Sequence, residues 1–341
     1  MRLSQFILFP YWLTLHLRHR AYDRGLLRSR KWDVPVICVG NIAAGGTGKT
    51  PVTELLCSLL KEDKHVAVLS RGYRRRSTGF RTVSVDSTAD EVGDEPLQIK
   101  RKYPEITVAV DRRRARGIDR LLSLDERPDV ILLDDGFQHR SIRPKVNILL
   151  SSWSRPLWKD ELLPLGRLRD LPSQVARADA LIITKCPAYV EEIRRDEIRR
   201  RLRLREDQEL FFATLCYQRM KAVFAEGDPR YTYSKRVFLF SGIANPKPLQ
   251  LYLYKDFYQV RHRTFGDHHR FTRADIRSIE RFSRRNPTSL LLTTEKDACR
   301  LLHVRGISPW VKERLFYIPV STCFIDEDEA ERFSAFIRKN V

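Results

Sequence analysis

A glycine-rich segment directly after an apolar run constrains the fold of this chain most. The run "VPVICVGN" at 34–41 has the β-branched composition of a buried strand, and "AAGGTGKTP" at 43–51 follows it. A strand, a glycine-rich loop and a helix in this order form a phosphate-binding loop, whose backbone N–H groups wrap phosphate oxygens. Lys49 would neutralise those oxygens and Thr50 would ligate Mg²⁺. The predicted nucleotide site comprises Ala43, Ala44, Gly45, Gly46, Thr47, Gly48, Lys49 and Thr50.

Apolar runs alternate with helical patterns along most of the chain. Strand-like runs at 65–73, 106–111, 129–135, 146–152, 179–185 and 210–217 are separated by helical or polar stretches. This alternation predicts an α/β fold of the P-loop NTPase type, with a mostly parallel sheet flanked by helices. A smaller α/β unit begins near residue 221, where the strand–helix order starts again, and "RLFYIPVSTCFI" at 314–325 is predicted as one late strand. We therefore expect an N-terminal interfacial helix at 1–31, a P-loop domain at 32–220 and a smaller domain at 221–341 that closes over the site.

Two carboxylates follow the apolar run at 129–135. Asp134 and Asp135 stand where a P-loop protein places acidic residues that hold Mg²⁺ directly or through water.

Two other nucleotide hydrolase classes fit poorly. A partitioning-type ATPase would carry Lys where Ala44 stands, and "TKCP" at 184–187 lacks the Asn and Asp of the guanine-binding motif.

The charge and the N-terminal segment indicate an anionic partner. The 341-residue chain has a formal net charge of +20, which suits nucleic acid, acidic lipid or a phosphorylated substrate. Residues 6–17, "FILFPYWLTLHL", place Phe6, Phe9, Leu13 and Leu17 at helical spacing, but the run is about half of the roughly 20 residues that span a bilayer. Because a basic segment follows, we predict an interfacial helix on an anionic membrane surface; the alternative is a helix packed on its own domain.

The six cysteines are scattered and form no C-x-x-C pair. This spacing argues against a zinc site and against a disulfide framework, and it suggests a reducing compartment.

Seven motifs stand in the order of one known family. They are "VGNIAAGGTGKTP", "LSRGY", "VGDEP", "LLDDGFQHR", "SGIANP", "FGDHHRF" and "TTEKDA", and they span residues 39–298. The series resembles the tetraacyldisaccharide 4'-kinase (lipid A 4'-kinase) family, whose loop commonly lacks the glycine that Ala43 replaces. The resemblance implies transfer of the γ-phosphate of ATP, with Mg²⁺, to the 4'-hydroxyl of tetraacyldisaccharide 1-phosphate, which gives lipid IVA. It also implies a peripheral or monotopic protein on the cytoplasmic face of the bacterial inner membrane, with no nucleic acid and no obligate protein partner.

The resemblance also implies roles for individual residues. Asp94 of "VGDEP" and one histidine of "DHH" would form a catalytic pair; we align His268 with that role, and His269 stays open. Sequence does not decide which member of the pair takes the proton. Lys296 and Asp297 are expected to be structural or nucleotide-side contacts. Candidates for the sugar and phosphate head group are Arg71, Tyr73, Gln138 and His139.

Two alternatives belong to other functional classes. A nucleic-acid-dependent P-loop ATPase would use the +20 charge and would bind nucleic acid with a steep salt dependence. A basic membrane scaffold would bind nucleotide without transferring phosphate. Formation of a bisphosphorylated lipid from labelled ATP would distinguish the kinase from both.

Overall fold

The structure, a computed structural model, describes residues 3–341 and, within the first helix, the side chains from Phe9 onward. The side chain of Phe6 therefore lies outside the described residues. The strands are β1 Val36–Gly40, β2 Val66–Ser70, β3 Arg81–Thr82, β4 Thr107–Val110, β5 Val130–Asp134, β6 Val146–Ser152, β7 Ala180–Thr184, β8 Glu209–Tyr217, β9 Lys221–Ala222, β10 Arg236–Ser241, β11 Gln259–Thr264, β12 Leu290–Thr294, β13 Leu315–Ile318 and β14 Val320–Phe324. The α-helices are α1 Leu3–Asp23, α2 Lys49–Leu60, α3 Ala89–Val92, α4 Asp94–Lys102, α5 Arg114–Leu122, α6 Glu192–Leu202, α7 Lys247–Asp256, α8 Arg273–Arg285, α9 Glu295–Leu301, α10 Pro309–Arg314 and α11 Glu327–Lys339.

A nine-stranded sheet forms the larger part of the fold, in the order β14-β8-β7-β6-β1-β5-β2-β4-β3. Its seven inner strands are parallel, while β14 and β3 run antiparallel at the two edges. The central strands β1, β5 and β7 are buried along their whole length, and apolar clusters cover both faces. Apolar strands of this kind require helices on both sides. The predicted α/β fold with a mostly parallel sheet is confirmed.

A second sheet has five strands in the order β11-β10-β12-β13-β9. Its first four strands are parallel and β9 is antiparallel to β13. The chain enters this sheet between Tyr217 and Lys221 and leaves it after Ile318, so the two crossings lie close together. The boundaries and independence of the predicted domains stay a prediction.

The late strand predicted at 314–325 is wrong as a single element. It consists of β13 and β14, which lie in different sheets and are separated by Pro319. Proline has no N–H to donate to a strand partner, so it interrupts a ladder. Beyond it, β14 pairs with β8, and Phe333 of α11 packs with Phe211 of that strand in the core of the large sheet.

The sequence argued against a disulfide framework, but the structure contains one disulfide. Cys216 of β8 and Cys323 of β14 form a disulfide across the antiparallel pair, with their Cα atoms 6.0 Å apart. Because 107 residues separate them in sequence, spacing along the chain gives no sign of the pairing. The other four cysteines are free and buried.

Helix α1 has one face on the protein and an exposed apolar face. Leu15 and His19 are buried, and His19 Nε2 lies 2.6 Å from Asp170 Oδ1. Phe9 and Leu17, by contrast, are 54% and 56% exposed. Among the described residues, no helix is long and apolar enough to cross a membrane.

Candidate active site

In the loop between β1 and α2, the N–H groups of Ala44 and Thr47 donate to backbone carbonyls, and those at the start of α2 are left for a ligand. Gly45 and Gly48 have φ of 106° and 89°, a region that suits glycine. Gly48 precedes the first residue of α2 and gives no side-chain cap, so the first N–H groups of the helix have no intrahelical partner. The loop is held from below by Asn41, whose Nδ2 donates to Thr47 Oγ1 at 2.6 Å, and by Thr184, whose Oγ1 donates to the Thr47 carbonyl at 2.7 Å. This arrangement suits a phosphate group.

The predicted metal ligands gather at the carboxyl ends of β1 and β5. Lys49 Nζ lies 3.8 Å from Asp135 Oδ1, and Thr50 is buried at the start of α2. Asp134 is buried; Ser70 Oγ donates to its Oδ2 at 3.1 Å, while its Oδ1 has no hydrogen-bond partner among the described residues.

The surroundings of Asp134 favour a cation. Burial, together with the charges of Glu95 and Asp135, raises the pKa of Asp134 to about 7. An orphaned carboxylate oxygen beside a second carboxylate is what a divalent ion would satisfy, with phosphate oxygens as further ligands. Within the described part of the chain, no group of three or more His, Cys, Asp or Glu side chains could hold a metal ion by itself. The unpartnered oxygen of Asp134, next to Asp135, fits a Mg²⁺ ion shared with a nucleotide.

The structure brings Asp94 and His268 into direct contact. Asp94 is the first residue of α4, and His268 lies in the loop after β11, yet His268 Nδ1 is 2.7 Å from Asp94 Oδ2. Burial alone would raise the pKa of Asp94, but hydrogen bonds from His268 and Arg300 outweigh it and hold this pKa well below the ordinary value. A carboxylate only accepts hydrogen bonds, so Nδ1 carries the proton and Nε2 of a neutral ring is left with a lone pair.

The backbone before Asp94 and the backbone at His268 both position this pair. A Cβ at Gly93 would lie 3.1 Å from the Cα of Gly72, so the loop that precedes Asp94 packs directly on the "SRGY" loop. His268 itself has φ of 59°, a left-handed conformation that is rare for a residue with a side chain. Strained residues of this kind concentrate at functional sites. His269 has a different partner: its Nε2 lies 3.0 Å from Asp275 Oδ2, in the capping box of α8.

The four candidates for the substrate head group fall into two places. The ring of Tyr73, which is 58% exposed, stands edge-on to His268 with the centroids 5.6 Å apart. Gln138 Nε2 donates to the Arg169 carbonyl at 3.2 Å, beneath α1. Burial and the nearby Arg114 charge lower the pKa of His139 to about 4, so near neutral pH this ring is uncharged and can only offer hydrogen bonds to a phosphate. Arg71 is exposed and lies close enough to lower that pKa further.

Comparisons with known proteins cover almost the whole chain. The family model described as tetraacyldisaccharide-1-P 4'-kinase (LpxK) matches residues 3–340. The chain is 42% identical over 342 residues to the tetraacyldisaccharide 4'-kinase of Parabacteroides distasonis, an alignment that covers 98% of this chain and 92% of that protein. It is 39% identical over 350 residues to the enzyme of the same name from Bacteroides thetaiotaomicron, covering 97% and 91%.

The chain belongs to the tetraacyldisaccharide-1-P 4'-kinase family. A crystal structure of the "apo" form of LpxK from Aquifex aeolicus in complex with ATP, at 2.2 Å resolution, has the same fold. Its TM-score is 0.73 at 27% identity, with 99% of each chain covered. The resemblance predicted from the seven motifs is confirmed, and the nucleic-acid-dependent ATPase is not favoured.

The roles of Lys185 and Arg300 in this kinase-family chain were not predicted from the sequence. Lys185 of "TKCP" reaches the carbonyl of Gly46 in the phosphate-binding loop. Lys296, which was expected as a structural or nucleotide-side contact, has its Nζ 2.6 Å from Glu95 Oε1. Lys185 had a signal, because it is the last residue of the predicted strand at 179–185 and stands at the edge where ligands bind in such sheets. Arg300 contacts Asp94 from α9, and no feature of the sequence marks it.

Proposed function

We infer that this chain is an ATP-dependent lipid kinase that phosphorylates the 4'-hydroxyl of tetraacyldisaccharide 1-phosphate to give lipid IVA. The observation that carries this conclusion is the match of nearly the full chain to one kinase family, at about 40% identity to its members. The fold supports it, because the phosphate-binding loop leads into α2 of the large-sheet part, and the Asp94–His268 contact joins α4 to the loop after β11 of the second sheet.

The nucleotide would lie along the loop from Ala43 to Thr50. Backbone N–H groups at the start of α2 would bind its phosphates, and Lys49 would neutralise the β- and γ-phosphates. Thr50, Asp134 and Asp135 would hold Mg²⁺, which when bound screens the negative charge of the transferred phosphoryl group. Lys185 supplies a further cation above the loop.

The Asp94–His268 pair would deprotonate the acceptor hydroxyl. A sugar hydroxyl is a weak nucleophile, so removal of its proton during in-line transfer lowers the barrier. The Nε2 lone pair of His268 is the acceptor that the hydrogen-bond pattern leaves free, while Asp94 fixes the ring through Nδ1. Tyr73 stands beside this ring and would contact the sugar. Closure of the second sheet and its helices over the loop would exclude water from the γ-phosphate.

The lipid part of the substrate would be reached from the membrane surface. The exposed apolar face of α1, with Phe9 and Leu17, suits insertion into the head-group region of the cytoplasmic face of the inner membrane. The opposite face of α1 contacts the candidate head-group residues, because Arg18 Nη2 donates to the Gln138 carbonyl at 2.9 Å. Arg71, Gln138 and His139 would bind the disaccharide and its phosphate close to that helix.

A lipid phosphorylation assay tests this function. The full chain is incubated with γ-labelled ATP, Mg²⁺ and tetraacyldisaccharide 1-phosphate in mixed micelles, and the lipids are separated by thin-layer chromatography. We expect a labelled bisphosphorylated lipid, and none with a substrate analogue that lacks the 4'-hydroxyl. ATP hydrolysis without a labelled lipid, or hydrolysis stimulated by nucleic acid, would contradict the proposal.

A further inference from the structure

The buried side chain of Arg300 in α9 links Asp94 of the catalytic pair to Asp297 and Gly242 of the second-sheet region. Its side chain is 6% exposed. Nη2 donates to Asp94 Oδ2 at 2.6 Å, and Nη1 donates to Asp297 Oδ1 at 2.6 Å and to the Gly242 carbonyl at 3.1 Å. The planar guanidinium suits this task, because its donors point in fixed directions to two carboxylates at once.

The second carboxylate is itself held rigidly. Asp297 Oδ2 accepts hydrogen bonds from the Gly242 N–H at 2.9 Å and from Thr294 Oγ1 at 2.7 Å. The Gly242 carbonyl, which Arg300 contacts, also accepts from the His268 N–H at 3.0 Å. Arg300 and the backbone of His268 are therefore fixed to the same loop, and both meet Asp94 from the second sheet.

The contacts around Asp94 determine what each group can do. Arg300 and His268 both donate to the same oxygen, Oδ2, and their own nitrogens are 3.3 Å apart. Arginine is always a donor, so the shared oxygen accepts both hydrogen bonds and cannot carry a proton itself. The charge of Arg300 beside it stabilises the carboxylate form of Asp94.

We propose that Arg300 is a positioning residue for phosphoryl transfer: it keeps Asp94 an anion and thereby fixes His268 with Nδ1–H toward Asp94 and Nε2 toward the acceptor hydroxyl. This inference rests on the proposed function. Among the described residues, Arg300 forms no hydrogen bond with the loop from Ala43 to Thr50 or with the candidates for the substrate head group. It therefore acts through Asp94.

The pH dependence of turnover distinguishes this role from a purely structural one. Two other charged groups face the pair and stay unchanged in the variants: Asp267, whose Oδ2 is 3.8 Å from His268 Nε2, and Lys296 near Asp94. Without the Arg300 cation, protonation of the Asp94–His268 pair is favoured, so the pair loses its basic form at a higher pH. Arg300 is close to both members of the pair, so its removal should shift the acid limb of kcat/KM upward, on the order of 1 pH unit. A residue that only supports the fold would reduce activity equally at all pH values.

The experiment uses three variants of the full chain. Arg300→Gln removes the charge, and Arg300→Lys keeps a charge but cannot bridge both carboxylates, so its shift should be smaller. Because Arg300→Gln strands Asp297 as a buried carboxylate, Arg300→Gln/Asp297→Asn removes that charge as well and keeps the test usable if the single variant does not fold. Lipid phosphorylation is measured across pH, with the KM for ATP measured separately and expected to stay within a few fold.

Arg101→Gln is the matched control. Arg101 also crosses between α4 and α9, since its Nη1 donates to the Cys299 carbonyl at 3.2 Å, but it does not contact Asp94. The acid limb of the kcat/KM profile of Arg101→Gln should lie at the same pH as that of the wild type. An unshifted limb in folded, active Arg300 variants, or an equal shift in Arg101→Gln, would overturn the role of Arg300. A wild-type enzyme that makes no bisphosphorylated lipid would instead overturn the proposed function.

Discussion

Removal of either member of the Asp94–His268 pair should abolish most lipid phosphorylation while leaving ATP binding intact. The two side chains are largely buried and joined at 2.7 Å, and neither is hydrogen-bonded to the loop from Ala43 to Thr50. Loss of a positioned general base costs about 10²- to 10⁴-fold in rate, so Asp94→Ala and His268→Ala should each lower kcat by that range. The Kd for ATP should stay within a few fold, because phosphate binding depends on the loop.

The double variant tests whether the two residues act as one unit. If Asp94 works through His268, the variant that lacks both should be scarcely slower than the slower single variant. Single-turnover lipid phosphorylation, together with equilibrium ATP binding, measures the two quantities separately. Losses that multiply in the double variant would show that Asp94 acts independently, for instance through Mg²⁺.

His269→Ala is the matched control, because the neighbouring ring has a structural partner. Its contact with Asp275 belongs to the start of α8, so its loss should cost about 0.5–1.5 kcal/mol of unfolding free energy and little kcat. An inactive His269 variant beside an active His268 variant would move the catalytic role by one residue and refute our alignment.

Three further predictions concern the loop, the membrane face and a buried carboxyl. Lys49→Ala should lower kcat at least about a hundredfold in a folded protein, which thermal unfolding and lipid phosphorylation together check, because a close cation to the phosphates is lost. The double substitution Phe9→Ser and Leu17→Ser should release the protein from anionic vesicles in flotation assays, because both side chains are exposed and apolar. High salt should release the wild-type chain only partly, because ions do not screen apolar burial. Burial raises the pKa of Glu329 to about 7 from 4.5, so the folded state binds this proton more tightly and the unfolding free energy falls as pH rises between these values. Glu329→Gln should therefore be more stable than wild type by about 1 to 3 kcal/mol near pH 8, with the difference vanishing toward about pH 4.5 in denaturant titrations.

Local patterns were sufficient for the large sheet and the phosphate-binding loop. The buried strands β1, β5 and β7 are short apolar runs between helical segments, and the glycines at 45 and 48 occupy the positive-φ positions that their motif requires. Both signals depend on neighbours in sequence. The division of 314–325 between two sheets was missed. The sequence around Pro319 is compatible both with one strand and with two strands that pair in different sheets.

The catalytic contact required more than local patterns. Asp94 and His268 are 174 residues apart, and only the family resemblance suggested that they meet. Arg300 had no such cue, since an arginine near the end of a charged helix is ordinarily exposed. It is identified as part of the site by its contact with Asp94, a tertiary contact that neither spacing nor composition specifies.

Polar contacts between the two sheets bear on the predicted closure of the site. Side-chain bonds that join the two sheets here include Arg300 with Asp94, Lys296 with Glu95, and Arg74 with the Asp267 carbonyl. Ion pairs formed on closure gain little net free energy, because desolvation of both charges offsets most of their attraction. If the sheets separated, Asp94 and Glu95 would exchange these partners for water, while Arg300 would keep its pair with Asp297, so the cost of opening would be small. Because the same pairs have strict geometry, closure would bring His268 to one position relative to the loop from Ala43 to Thr50. We therefore expect these polar contacts to favour accurate alignment during transfer and ready release of the lipid afterwards.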